Sequence, residues 1–396
     1  MGASAARSGG AGLLAPFLAA RLICPGCNGG KWDQRAYADE SASGTLACAS
    51  CGRRWLVIEG VPLMTTPVPP GRSERTLSEH LVRDPVARQV AGAALGRFAA
   101  ELRGVEGAIS QIRQEPLERA FMVKGAPWIT LRRFESEKYA HLGDLVPSGE
   151  VLLDLGCGYG ASAAPFLAGG KARSVIGLDE NLLLLLLFKR YTAARRLGEA
   201  AFICHHLGRR PLPLCDGAVD TVVGGSFFNH FACLKGSQEL RQFFSELARV
   251  LSPSGTLLLD MVPNRQYPFP REVILEPVIA QPRLRDWAKR AIRGVPTAWL
   301  PPSLTVGALW LTYRAYMASR GRPALGFASF KRELGKAVPE AALGGLPIRP
   351  RRYSRLAADF SRIEVFDDAA LLRRGELRPV GPVAVTSRYF LLRATR

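Results

Sequence analysis

The chain has 396 residues, enough for one large α/β domain with smaller modules attached and too many for a single compact core. A formal charge of +19 fits a polyanionic partner such as RNA or an anionic membrane surface, and equally a compositional bias in which arginine far outnumbers lysine and the cations spread over the whole chain. No run of about eighteen or more apolar residues occurs, which argues against a membrane-spanning helix. Four of the eight cysteines fall in two C-x-x-C pairs and the rest are scattered, a pattern for a reducing cytoplasm.

Residues 1–20 hold a short apolar stretch from Leu13 to Ala20 below signal-peptide quality, and read as a flexible tail leading into a helix. Residues 21–65 read as a small module. Cys24 and Cys27, a spacer of twenty residues, then Cys48 and Cys51 give two tight turns that can each present two thiolates to one ion, with Gly26, Gly29 and Gly52 in or beside them. Tetrahedral zinc is the expected metal. Four thiolates close its coordination sphere, so its task is structural and no position is left for a water or substrate. A Pro-rich linker spans 66–72, and from 73 to 145 apolar residues such as Val86, Val90, Ala94 and Phe98 keep helical spacing, which predicts a helical connector.

From 146 to 262 the pattern alternates between buried strands and helices: VLLDLG, a helix after Ala161, SVIGLD, a helix through six consecutive leucines, AFIC, AVDTVVGG, SQELRQFFSELARVL and GTLLLDMV. That alternation predicts an α/β fold, doubly wound, with a mostly parallel sheet covered on both faces. Strand character returns within 351–396, and the Pro-, Arg- and aromatic-rich stretch 263–350 reads as an insertion before the last two strands, an acceptor-binding or membrane-facing cap.

In such a sheet ligands bind at the carboxyl ends of the strands near the switch point. Asp154 closes the first strand and is followed by Gly156, Gly158 and Gly160, while Asp179 closes the second about twenty-five residues later, where an acid can accept both hydroxyls of a ribose. The spacing G-x-G-x-G directly after an acid favours S-adenosylmethionine over a nicotinamide or flavin. The stretch 150–261 resembles the class I methyltransferase family, with D-L-G-C-G and L-D as its first two motifs and LPLCDGAVDTVV and ELARVLSPSGTLLL as later ones. The resemblance implies a Rossmann-like, seven-stranded sheet whose last strand is antiparallel. It also implies that the glycine loop holds the methionine end of the donor with Asp154 near its ammonium group, and that Asp179 holds the ribose. Cys157 and Glu180 are counted among the donor contacts. Where the family often has an acid for the adenine, this sequence has ICHHLGRR, leaving backbone and Leu207 for that contact. The cysteine segment, ending in IEGVPLM, resembles a family of small zinc-ribbon methyltransferase activators over about 45 residues.

Methyl transfer from a sulfonium is an in-line displacement that gains most from positioning, and a base is needed only if the acceptor must lose a proton. His230, in FFNHF after the fourth strand, is the candidate base, against a packed or capping histidine. Asn229 is a candidate to orient acceptor or donor. His205 and His206 are either substrate contacts or a solvated loop. In the insertion, Leu284, Trp287, Ala288, Ala291, Ile292 and Val295 form an apolar stripe beside Arg283, Arg285, Lys289, Arg290 and Arg293, which reads as a helix packed on its own domain or as a membrane-facing helix.

MVPNRQYPF and WLPP resemble methyltransferases encoded with bacterial surface-polysaccharide enzymes. The expected activity is therefore methylation of an O or N atom of a small-molecule or glycan intermediate, lipid-linked acceptors included, in the cytoplasm or at the inner face of the membrane. Ribosomal RNA methylation is the rival enzyme reading, since zinc ribbons occur on such enzymes and the charge suits phosphates. RNA ranks lower because no N-P-P-Y type motif is present. A noncatalytic cofactor-binding scaffold is the third reading.

Overall fold

The computed structural model describes residues 13–38, 40–68, 76–95, 107, 110, 142–207, 211–225, 227–228, 237–263, 283–291, 302–337, 350–367 and 389–396. Most of the predicted connector, the end of the linker and parts of the insertion lie outside them.

The N-terminal stretch is packed rather than free from residue 13 onward. Leu13, Leu14 and Leu18 are buried, and α1 (Pro16–Ala19) leads straight into the first cysteine turn. The expected flexible tail is thereby corrected for 13–20, because three leucines find a core to enter. An antiparallel sheet follows, in the order β1 (Trp32–Tyr37), β2 (Glu40–Cys48), β3 (Arg54–Ile58) and β4 (Val61–Pro62). Gly44 is required where β1 and β2 approach, since a Cβ there would stand 2.1 Å from the Arg35 carbonyl oxygen. Between β3 and β4, Glu59 and Gly60 both take positive φ, the two-residue turn that fits the twist of a hairpin. Helices α2 (Leu77–Arg83) and α3 (Pro85–Leu95) come next. Buried His80 sits between the Tyr37 hydroxyl and Asp84, while Asp84 also accepts from Val86 N and Ala87 N to start α3.

The second sheet is built from β5 (Gly149–Leu155), β6 (Ala172–Asp179), β7 (Glu199–Cys204), β8 (Val219–Gly224), β9 (Leu251–Pro263), β10 (Arg362–Asp367) and β11 (Tyr389–Thr395). Its order is β10-β11-β9-β8-β5-β6-β7, and the β5–β6, β5–β8 and β6–β7 pairs are parallel. The doubly wound α/β sheet of seven strands is thus present. Its order reverses between β5 and β8, the switch point at which such sheets bind ligands.

Helix α4 (Ala164–Ala168) connects β5 to β6, and α5 (Leu182–Arg195) connects β6 to β7. The leucine run of α5 is buried almost all round, which a helix tolerates only when it is covered on more than one side. It packs on β6 and β7 and also meets β4 and α3.

By contacts the chain divides into two compact units, one of Met1–Gly225, Glu246–Leu258 and Thr395–Arg396 and the other of Ser226–Ser245 and Leu259–Ala394. The cysteine-bearing sheet therefore belongs to the same unit as β5 to β8. Among the described residues they are joined at several places. Leu22 bridges Leu214, with Ile23 N donating to Pro213 O at 3.1 Å and Cys215 N to Arg21 O at 2.8 Å. Leu63 bridges Cys204 in parallel, and Met64 N donates to Cys204 O at 2.8 Å, which covers the otherwise open edge at the end of β7. Lys189 of α5 donates to the Glu59 carbonyl in the hairpin turn.

Helix α6 (Ser237–Val250) runs into β9. In the second unit Phe228 is fully buried against Phe243, Phe244 and Tyr353, the last from α10 (Pro350–Leu356). The same unit contains α7 (Arg285–Ala291), α8 (Pro302–Ala318) and α9 (Phe327–Ala337), whose own core comprises Leu284, Trp287, Ala288, Val306, Leu309, Tyr313, Phe330 and Leu334. Trp287 is 1% exposed and meets Tyr313 and Phe330 edge to face, so the described part of the 284–295 stripe is an interior face. The membrane-facing reading of that stripe is corrected for Leu284, Trp287 and Ala288, and Ile292 and Val295 lie outside the described residues. No helix among the described residues is long and apolar enough to cross a membrane.

Candidate methyl-donor and metal sites

The cysteine turns are two copies of one backbone device. Cys24 N donates to Gly29 O and Cys48 N to Arg53 O, both at 2.8 Å, and the residue after each pair, Asn28 or Gly52, takes positive φ. Gly26 and Gly29 do not have positive φ. Gly29 is needed for space, because a Cβ there would lie 2.5 Å from Ser50 Oγ and 3.3 Å from Cys48 Sγ. The four sulfurs lie within 4.8 Å of one another, with Cys24–Cys51 at 3.7 Å and Cys27–Cys48 at 3.5 Å. Zinc–sulfur bonds of about 2.3 Å set tetrahedral corners about 3.8 Å apart, so the cluster has the size for one such ion. Burial raises the Cys24 thiol to about 12, whereas at Cys48 burial is outweighed by the N–H groups of Cys51 and Ser50, which bring it down to about 7. A cation among the sulfurs would favour all four thiolates.

At the switch point, β5 delivers Asp154 fully buried, and Ser162 Oγ donates to its two carboxylate oxygens at 2.8 and 2.7 Å. Ser162 is the site residue that sequence reasoning missed. It carries no motif of its own, and the turn after Ala161 alone aims it back at Asp154. Gly156, Gly158 and Gly160 have φ of 61°, 52° and 91°, values that disfavour any side chain. They serve two different needs. A Cβ on Gly160 would lie 2.1 Å from the Phe188 ring of α5, so that glycine exists for packing, whereas a Cβ on Gly158 would meet nothing within 4 Å. The open space over Gly158 is where a ligand can approach the backbone.

Asp179 ties the loop to the end of β6: its carboxylate accepts from Gly158 N at 2.9 Å and from Asn181 N at 2.8 Å. Burial raises its pKa, and the two backbone donors and the neighbouring Glu180 charge modify that effect without reversing it. Glu180 is exposed and lies 3.4 Å from His206 Nε2. Cys157 and Cys204 are buried. Burial, reinforced for Cys157 by the Asp154 and Asp179 charges and for Cys204 by Asp179 and Glu180, holds both thiols well above the usual range. These thiols are therefore protonated at neutral pH, and in the folded protein they should resist iodoacetamide while Cys215, which is part exposed, reacts. Mass mapping of the alkylated sites is the check. Rapid labelling of Cys157 would show the loop to be more open than described.

After β7, His205 is 1% exposed with Nδ1 3.0 Å from Met64 O. A carbonyl only accepts, so Nδ1 carries the proton, and this histidine is a packed one rather than a solvated loop residue. Leu207 is half-buried in the following turn. Asn229 and His230 lie outside the described residues. The loop before β8 is braced by Arg249 of α6, which donates to Leu212 O, Leu214 O, Asp216 and Glu246, while Glu246 accepts from Leu212 N. These residues belong to the later two motifs.

The segment that contains this site is similar to a known family. Residues 153–259, which contain the Asp154 strand, the glycine loop, Asp179 and the braced loop, match the family described as "Methyltransferase domain". The match to a methyltransferase domain is confined to that segment. A malonyl-[acyl-carrier protein] O-methyltransferase from Methylovorus sp. (strain MP688) is 29% identical over 157 residues, 38% of this chain and 42% of that protein. The chain thus matches less than half the length of that relative. Among solved structures, an S-adenosylmethionine-dependent methyltransferase from Methanosarcina mazei aligns over 64% of this chain and 96% of its own at 16% identity and a TM-score of 0.34. A structure described as "Conversion of a Disulfide Bond into a Thioacetal Group during Echinomycin Biosynthesis" aligns over 65% and 80% at 18% identity and a TM-score of 0.35. The fold of the methyltransferase domain rests on its strand order and not on these superpositions.

Proposed function

We propose that the chain transfers a methyl group from S-adenosylmethionine to an O or N atom of a small-molecule or glycan biosynthetic intermediate, lipid-linked acceptors included. The observation that carries this reading is the pair of carboxylates, buried Asp154 and half-buried Asp179, at the carboxyl ends of β5 and β6 beside open Gly158, within residues that match a methyltransferase domain. Bound at these residues, S-adenosylmethionine supplies an electrophilic methyl group on a sulfonium. The protein's share is placement. Asp154, held by Ser162, faces the donor's ammonium group. Asp179 keeps lone pairs for ribose hydroxyls while it fixes Gly158. Cys157 and Glu180 would add contacts beside these two, and Leu207 would meet the adenine. Since displacement at a methyl group is governed by alignment and water exclusion, fixing the donor in this way accounts for most of the acceleration. Where the acceptor must lose a proton, His230 takes it and Asn229 orients the acceptor.

The four cysteines would hold one structural zinc ion, because their spacing matches a tetrahedral sulfur shell and four thiolates would leave no open position. The resemblance of this segment to small methyltransferase activators fits its location beside β7 and α5. An oxygen acceptor is favoured by the O-methyltransferase that the chain resembles.

The test is methyl transfer from labelled donor to separated RNA, lipid, glycan and small-molecule fractions of the source cell. Label in the lipid, glycan or small-molecule fraction is expected. Label confined to RNA would replace this reading with RNA methylation, and no label in any fraction, with intact donor binding, would favour a noncatalytic scaffold.

A further inference from the structure

With Leu284, Trp287 and Ala288 interior, the exposed large apolar side chains among the described residues of the insertion lie elsewhere. Only four large hydrophobic side chains are classed as exposed among the described residues, and two of them, Leu311 (59% exposed) and Phe327 (43%), belong to α8 and the start of α9. They are not scattered. Phe327 meets Trp310 edge to face with ring centroids 5.4 Å apart, Arg314 lies over the Trp310 ring, and Leu311 is one turn before Arg314 on the exposed side of α8. Trp310 is held in place by donating its indole N–H to Leu325 O at 3.1 Å, so its ring is half-buried and oriented rather than loose.

The helix has two faces for two purposes. Val306, Leu309 and Tyr313, at helical spacing, enter the core, while Leu311, Arg314, Ala315 and Ala318 are all exposed on another side. The exposed charges on these helices are cationic. Arg314 stacks over Trp310 at 5.0 Å, Arg320 stacks over Tyr316 at 5.7 Å, and Arg322, Lys331 and Arg332 are exposed on the following turn and on α9. The acid in this stretch, Glu333, is turned inward toward Arg283 at 3.8 Å and is 12% exposed. The described exposed residues of α8 and α9 therefore combine protruding apolar side chains with an excess of cations, two of them stacked on aromatic rings.

We infer that the Trp310–Leu311–Phe327 face of α8 and α9 docks on an anionic phospholipid surface. A protein partner would need a complementary acidic pocket of fixed shape, whereas a bilayer offers both halves of the match in bulk. Headgroup phosphates meet the arginines and lysines, and the interfacial zone accepts a leucine, a phenylalanine and an indole with a satisfied N–H. RNA would use the cations and gain little from Leu311. This inference does not depend on the acceptor proposed above, because lipid docking can fail while methyl transfer to a soluble acceptor persists, and the reverse.

The test is co-sedimentation of the full chain with phosphatidylcholine vesicles made with and without phosphatidylglycerol, together with Leu311→Ser/Phe327→Ser and Arg314→Gln/Arg332→Gln variants. All four positions are exposed, so folding should be retained, which circular dichroism and donor binding would verify. Binding only to vesicles that contain phosphatidylglycerol is expected. The apolar double variant should bind them about tenfold more weakly, the difference made by about 1.4 kcal/mol of partly buried side chain. The arginine variant should lose affinity mainly at low salt. No vesicle binding by the parent chain, or equal binding by the apolar variant, overturns the inference. RNA binding at physiological salt that is lost in the apolar variant also overturns it, in favour of a nucleic-acid surface.

Discussion

Removing the metal from the reduced protein should destabilise the whole Met1–Gly225 unit, not the cysteine-bearing sheet alone. Binding of zinc by four thiolates is worth on the order of 10 kcal/mol in small zinc-dependent folds, and here that energy is connected to the methyltransferase sheet by backbone. The segment after the second cysteine turn runs through β3 and β4 directly into Leu63 and Met64, which pair with Cys204 at the end of β7. The segment before the first turn pairs with Leu214 and Cys215. With the sulfurs no longer held, both seams lose their anchor. A chelator, or Cys48→Ser, should lower the melting temperature and raise hydrogen exchange in β7 and α5 together with β1 to β3. Metal analysis should return one zinc per chain. Faster exchange confined to the cysteine sheet, with β7 unchanged, would show the two to be energetically separate.

Asp179→Ala should weaken S-adenosylmethionine binding by about 1.5–3 kcal/mol, the range for hydrogen bonds to a charged group, or about 10- to 150-fold in Kd. Two contributions act together in that loss: the direct contact with the ribose and the brace on Gly158 N at 2.9 Å. Asp179→Asn separates them, because an amide oxygen can still accept from Gly158 N. The same carboxyl sets a pH dependence. Burial raises its pKa above the ordinary 3.8, so the folded chain binds this proton more tightly than the unfolded chain. Between 3.8 and the raised value the native state carries the greater share of protons, and this group's contribution to stability falls as pH rises through that window. Donor binding runs the other way. It needs the ionised carboxylate and should decline as pH drops toward the raised pKa, earlier than an ordinary carboxylate would allow. Calorimetric titrations across that range should show the decline in the parent and not in Asp179→Asn. Equal affinity of parent and Asp179→Ala would remove Asp179 from the site.

Much of this architecture could be read along the chain because it depends on local chemistry. Two cysteines with two residues between them share one tight turn, so Cys24, Cys27, Cys48 and Cys51 could be named as one candidate cluster and are found together. A buried strand that ends in an acid and three alternate glycines marks the carboxyl edge of a parallel sheet, and Asp154, Gly156, Gly158, Gly160 and Asp179 stand there. What the sequence could not indicate was which surface would meet which. The six leucines of α5 predict a buried helix, but only the fold shows that β4 and α3 help to cover them. Ser162 has no signal until the turn after the glycine loop brings its hydroxyl to Asp154. The stripe through Trp287 has the period of an interfacial helix and of a core helix alike, and burial against Tyr313 and Phe330 decides between them. Periodicity records that a face is apolar, whereas the partner that buries it is settled by residues distant in the chain, and those contacts exist only in the tertiary structure.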